Sequence, residues 1–163
     1  KDFTQRTGEF TVNIALIENG EPILGVVTAP ALKEAYWGLK GEGAYKRDRT
    51  GRTRRISVVE PGEAKRVVAS KNHLNEETKA FINKLGAHEL VQAGSSLKFC
   101  KIAEGHADIY PRLGPTCEWD TGAAHAVLSA AGGKVETLEG KPLQYGKEDV
   151  LNPHFIAAGN WHK

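Results

Sequence analysis

The chain has 163 residues, 40% of them hydrophobic, and a formal net charge of +2, enough apolar material for one packed globular unit. Near-neutral charge excludes a surface-wide electrostatic trap for nucleic acid, and no run of about 18 apolar residues is present to build a membrane-spanning helix. The first residues, Lys1-Asp2-Phe3-Thr4-Gln5-Arg6, carry no apolar signal-peptide stretch, so a soluble cytoplasmic protein is expected; a start on lysine and the absence of methionine point to a processed chain or a fragment.

Residues 9–16 alternate Phe10, Val12, Ile14 and Leu16 against Thr11, Asn13 and Ala15, a strand with one apolar face. Glu18-Asn19-Gly20-Glu21 reads as a turn and residues 22–28 as the returning strand of a β-hairpin. Short strands follow at residues 34–39, 43–45 and 54–59, until Pro61-Gly62 breaks the pattern. Strands then alternate with helices: a strand at 66–70, a helix at 75–85 stopped by Gly86, a strand at 89–93, a helix at 95–104 ended by Gly105, a strand at 107–110, a helix at 120–131 ended by Gly132-Gly133, and a strand at 134–137. The order predicts an α/β (α+β) protein with an antiparallel-sheet part over 1–62 and an α/β part over 63–163.

Several constellations carry candidate chemistry. Glu118-Trp119-Asp120-Thr121 puts an acidic residue at the start of a helix of small residues; Asp120 reads either as an N-cap or as a carboxylate ligand for a hard cation such as Mg²⁺, and both can hold together. Gly94-Ser95-Ser96-Leu97-Lys98 opens a helix whose first amides suit an anion, with Lys98 adding charge, the alternative being a serine cap beside a solvated lysine. Arg112, read as lying in a loop between Pro111 and Pro115, suits bidentate phosphate recognition. His73 follows a strand end, where ligands collect in open α/β sheets. The basic run from Lys46 to Arg55 has no aromatic residue for stacking bases and reads as a solvated hairpin tip rather than a nucleic-acid surface. Cys100 and Cys117 have no Cys or His neighbour at metal-ligand spacing and read as reduced, partly buried thiols.

Taken together, Glu9-Phe10-Thr11-Val12-Asn13-Ile14-Ala15-Leu16-Ile17, Gly41-Glu42-Gly43-Ala44, Gly94-Ser95-Ser96-Leu97-Lys98-Phe99-Cys100, Ala103-Glu104-Gly105-His106-Ala107-Asp108-Ile109-Tyr110-Pro111-Arg112, Glu118-Trp119-Asp120-Thr121, Ala131-Gly132-Gly133 and Leu151-Asn152-Pro153 resemble the inositol monophosphatase superfamily, and within it the bisphosphate nucleotidase branch. The resemblance implies a layered α/β/α/β/α sandwich truncated at its N-terminus, and Mg²⁺-assisted removal of the 3'-phosphate of adenosine 3',5'-bisphosphate. Asp120 matches a metal ligand, Ser95, Lys98 and Arg112 match residues that hold the nucleotide and its phosphates, and His73 matches a histidine on the adenine side. The family's Asp-Pro-x-Asp-Gly-Thr motif and a further glutamate ligand are expected upstream of Lys1, so the 163 residues alone are expected to be inactive. An inositol or sugar monophosphatase of the same fold, or a non-catalytic nucleotide-binding fragment, are the alternatives. The family's helix glycine stands two residues later than Gly122, which places the methyl of Ala124 where the helix meets a neighbour.

Overall fold

Alternation along the first third of the chain folds it into an antiparallel meander. A computed structural model describes residues 10–69, 74–94 and 96–159. Strands β1 (Val12–Glu18), β2 (Glu21–Ala29), β3 (Glu34–Leu39), β4 (Gly43–Arg47) and β5 (Thr53–Ile56) lie in chain order in one sheet. The β1–β2 turn places Asn19 at φ 52° and Gly20 at φ 80°, a pair of positive angles whose twist matches that of the strands they join. β5 stops short of the expected end at Val59, because the Val58 amide leaves the sheet and donates to the Ala131 carbonyl at 3.0 Å.

The second sheet has the order β7-β6-β8-β10-β9, built from β6 (Lys65–Ala69), β7 (His88–Gln92), β8 (Ile109–Arg112), β9 (Gly133–Thr137) and β10 (Phe155–Gly159). β6 is parallel to β7 and β8, whereas β10 runs antiparallel to β8 and β9. The helices are α1 (Glu76–Lys84), α2 (Leu97–Ala103) and α3 (Glu118–Ala130). The strand expected at 107–110 is displaced because the Asp108 carboxylate folds back onto Arg66, accepting its amide at 2.7 Å and its guanidinium at 3.1 Å. α2 begins at Leu97 rather than 95, and α3 at Glu118 rather than 120. β10, unanticipated in the sequence reading, occupies the interior of the second sheet.

α3 approaches the first sheet closely, and glycines on the sheet make that approach possible. A Cβ at Gly25 would stand 2.1 Å from the Ala123 carbonyl oxygen, and one at Gly38 2.8 Å from the Ala130 Cβ. Gly122 is not such a site, since a Cβ there would meet Ala15 at an ordinary 3.5 Å. Val27 and Tyr36 from the first sheet, Phe99, Ile102, Val127 and Leu128 from α2 and α3, and Val68, Tyr110, Val135 and Phe155 from the second sheet form one buried cluster. On the far face of the second sheet, Val67, Ile109 and Ala158 pack with Ile82 and Phe81 of α1. The described residues therefore supply four of the five expected layers: sheet, helix pair, sheet and helix. Val12, Ile14 and Leu16 of β1 are half exposed, and no helix among the described residues covers that face.

A buried charge cluster ties the C-terminal end of α2 to the first sheet. The Glu104 carboxylate accepts from the Tyr36 hydroxyl at 2.9 Å and the Lys46 ammonium at 2.7 Å, with Arg54 at 3.4 Å. The basic run is thus divided: Lys46 is buried and Arg54 turns toward Glu104, while Asp48 organises the tip by accepting the amides of Thr50 and Arg52. No helix among the described residues is long and apolar enough to cross a membrane.

Candidate functional site

Tyr110 and Arg112 are two residues apart on β8, so both side chains leave the same face of the strand. That face meets the helix layer. Tyr110 is 5% exposed and packs edge-on against Phe99 and Phe155, with ring centroids 5.4 and 5.9 Å away. Lys98, from the first turn of α2, is buried rather than solvated and holds its ammonium 5.6 Å from the centre of the Tyr110 ring. The positive charge of the Arg112 guanidinium acts on the Tyr110 hydroxyl. Burial raises the Tyr110 pKa, Arg112 opposes that rise, and the negative charge of Asp120 adds to it. Lys98 and Arg112, singled out separately in the sequence, therefore both bear on Tyr110, and the charge of Asp120 is felt there.

Arg112 is not in a loop, as the prolines suggested; it ends β8, opposite Phe155 of β10. Its terminal nitrogen donates to the Pro115 carbonyl at 3.1 Å, and its buried Nε has no hydrogen-bond partner. An orphaned buried guanidinium N–H is costly unless something accepts from it, and a phosphate oxygen has the geometry to do so.

Asp120 is not the cap residue of its helix. Cys117 holds that position in extended geometry, and Asp120, three residues on, reaches back to accept the Cys117 amide through Oδ2 at 2.8 Å, the reciprocal half of a capping box. The N-cap reading is thus replaced by this capping-box contact, which occupies one carboxylate oxygen of an exposed side chain and leaves the metal-ligand reading open. Glu118, two residues earlier, is committed elsewhere: its carboxylate accepts the Gly146 amide at 2.8 Å, the Lys147 amide at 3.2 Å and the Lys147 ammonium. Burial pushes the Glu118 pKa up, but these donors outweigh it and hold the carboxyl below its usual range.

Asp120 fits a hard divalent cation as one oxygen ligand. No group of three or more His, Cys, Asp or Glu side chains among the described residues could hold such an ion, so Asp120 alone does not complete a site. Ser95 and His73 lie outside the described residues. Ser96, buried and next to Ser95 in sequence, precedes α2 without a side-chain capping bond. Both cysteines are free thiols, Cys100 fully buried and Cys117 partly so; burial, reinforced by Glu104, drives the Cys100 thiol far above its ordinary range. Tyr110 was missed as a site residue by the sequence reading, although its two-residue spacing from Arg112 on a strand was the signal for it.

The sequence profile of the inositol monophosphatase family matches residues 1–163. The chain belongs to this family. Within the family it is 49% identical over 156 residues to the 3'(2'),5'-bisphosphate nucleotidase CysQ of Escherichia coli strain K12, covering 95% of this chain and 62% of that protein. The crystal structure of CysQ from Bacteroides thetaiotaomicron, described as a bacterial member of the inositol monophosphatase family, superposes with a TM-score of 0.90 at 42% identity, over 98% of this chain and 66% of that one. The inositol monophosphatase of Anabaena (Nostoc) sp. PCC 7120 superposes at 0.77 with 25% identity, over 96% of this chain and 62% of that one. The chain thus spans somewhat under two thirds of the length of these inositol monophosphatase relatives.

Proposed function

We propose that the full-length protein is a Mg²⁺-dependent phosphatase that removes the 3'-phosphate of adenosine 3',5'-bisphosphate to give AMP. The observation that carries this reading is the convergence of Lys98 and Arg112 on Tyr110, beside Asp120. A buried ammonium and a guanidinium with an unpartnered Nε offer charge for two phosphates, more than an inositol monophosphate requires. The 49% identity to a protein named as a 3'(2'),5'-bisphosphate nucleotidase supports the same substrate.

In this reading Arg112 grips a phosphate through its fork, and Lys98 neutralises charge in a setting where burial strengthens the attraction. Asp120 supplies one metal ligand, while Ser95 and His73 contact the nucleotide. When bound, Mg²⁺ activates water and stabilises the departing oxygen. The described residues hold no group of three or more metal-ligating side chains, so on this reading further ligands are needed, and the described part alone is expected to be inactive. A division at residue 62 accompanies the proposal, on the ground that the first sheet ends at Ile56 and the second begins at Lys65. A free nucleotide as substrate supports a cytoplasmic location as part of this reading.

The test compares hydrolysis of adenosine 3',5'-bisphosphate and inositol 1-phosphate by the full-length protein. Faster turnover of the bisphosphate is expected; faster turnover of the inositol ester would transfer the assignment to the monophosphatase branch. The incompleteness of the metal site among the described residues favours one further possibility, a nucleotide-binding fragment without catalysis. Calorimetric titration of the 163-residue chain with AMP separates it: tight binding independent of Mg²⁺ marks a binding module.

A further inference from the structure

Residues 144–152 form a strap across the start of α3, and its last residue reaches the helix from below. The Tyr145 amide donates to the Gly20 carbonyl at 3.0 Å, fixing one end of the strap to the β1–β2 turn. Gly146 and Lys147 bind the Glu118 carboxylate. The Glu118 amide donates to Val150 at 2.8 Å, the Asn152 amide donates to Thr116 at 2.9 Å, and Cys117 forms a bridge with Leu151. Every residue from Thr116 to Glu118 is thereby pinned to the strap through its backbone.

Asn152 adds side-chain contacts that the backbone cannot make. It is 7% exposed, and its Nδ2 stands 3.1 Å from the Thr116 hydroxyl, the Cys117 carbonyl and the Thr121 hydroxyl. The carbonyl can only accept, so it fixes the orientation of the amide. That orientation leaves Oδ1 buried with no partner, which is unfavourable. Against that orphaned oxygen stand the three contacts of Nδ2, which an apolar side chain would forfeit. What the amide supplies is a clamp on both sides of Asp120: Cys117 before it and Thr121 after it. Cys117, held at its carbonyl by Asn152, gives its own amide to Asp120 Oδ2.

We propose that Asn152 is a positioning residue for Asp120: acting through Cys117 and Thr121, it fixes the direction in which the free carboxylate oxygen points, and so the affinity of the site for a divalent cation. Tyr145 closes the clamp on the far side, its hydroxyl lying 3.0 Å from the Thr121 hydroxyl and 2.8 Å from His125 Nδ1. A neutral His125 protonated at Nδ1 gives the chain one direction, from His125 through Tyr145 and Thr121 toward the Glu118 carbonyl. The inference rests on the reading of Asp120 as a metal ligand.

The test is equilibrium Mn²⁺ binding, followed by electron paramagnetic resonance without substrate, in the full-length protein and in its Asp120→Asn, Asn152→Leu and Thr121→Val variants, with circular dichroism melts to establish folding. Asp120→Asn is expected to weaken binding, Asn152→Leu to raise the Mn²⁺ dissociation constant roughly 10–100-fold, as removal of outer partners of metal ligands does, and Thr121→Val to raise it several-fold. Thr121→Val preserves side-chain volume and keeps the test decisive where Asn152→Leu does not fold. Should Asp120→Asn weaken binding while the folded Asn152 and Thr121 variants bind as the parent does, with only lower melting temperatures, Asn152 is structural and the inference fails alone. Unchanged binding by Asp120→Asn defeats the metal reading and the inference with it.

Discussion

Tyr110 links, at the residue scale, groups that the sequence offers separately: it gives the buried Lys98 ammonium a π-face and feels the charges of Arg112 and Asp120. Arg112 depends on fork geometry that an ammonium cannot reproduce. Steady-state kinetics of the full-length Arg112→Lys variant on adenosine 3',5'-bisphosphate are therefore expected to show KM raised about 10–100-fold, the equivalent of one charged hydrogen bond of about 1.5–3 kcal/mol; an unchanged KM places Arg112 outside the phosphate site. His125 makes a prediction about stability. Burial lowers its pKa from 6.5 to about 4, so the unfolded chain binds a proton that the folded chain refuses between those values. Stability is accordingly full above pH 6.5 and falls as pH drops toward 4, by about 3 kcal/mol. Urea unfolding of the parent and a His125→Gln variant at pH 7, 5 and 4 measures this, and the variant is expected to lose that part of the pH dependence.

At the scale of the element, the contact between α3 and the first sheet is set by where side chains are missing. Gly25→Ala places a methyl 2.1 Å from the Ala123 carbonyl oxygen, forcing helix and sheet apart at a cost of about 1–3 kcal/mol or more. Gly122→Ala meets only ordinary contacts and removes a helix glycine, so a gain of up to about 1 kcal/mol is expected. Denaturant unfolding of both variants checks the contrast. The helix side of this contact was legible, because a helix of small residues advertises close packing, whereas the two strand glycines read only as weak strand positions. The hairpin at Asn19-Gly20, the meander and the alternation after Pro61 were legible because turn chemistry and periodicity are local. β10 was not: Phe155-Ile156-Ala157-Ala158-Gly159 is short, contains two alanines and a glycine, and becomes a strand only by pairing with β8 and β9 on either side. The two readings of Lys98, anion site or solvated lysine, stayed open for a similar reason, since its burial depends on Tyr110 arriving from a later strand. Asp120 was legible as a helix-start acid, but Cys117 as the cap was not, because cysteine is a rare N-cap.

For the whole molecule, the helix pair joins two sheets made by different rules, and Glu104 ties it to the first. Its carboxylate is fully buried against Lys46, itself buried. Glu104→Gln leaves the lysine with only the more distant Glu34, 3.6 Å away, and breaking a buried pair of this kind costs about 3–5 kcal/mol; thermal unfolding is expected to show a correspondingly large drop in Tm. Such a loss would move α2, and with it Lys98, relative to β8. Glu104 and Lys98 flank one helix, so the scaffold and the proposed phosphate site are expected to be coupled through it. Chromatographic identification of the product formed by the full-length protein from adenosine 3',5'-bisphosphate in the presence of Mg²⁺ tests the central claim most directly. AMP with one equivalent of inorganic phosphate is the predicted result, whereas adenosine 3'-phosphate, or no turnover at all, would contradict it.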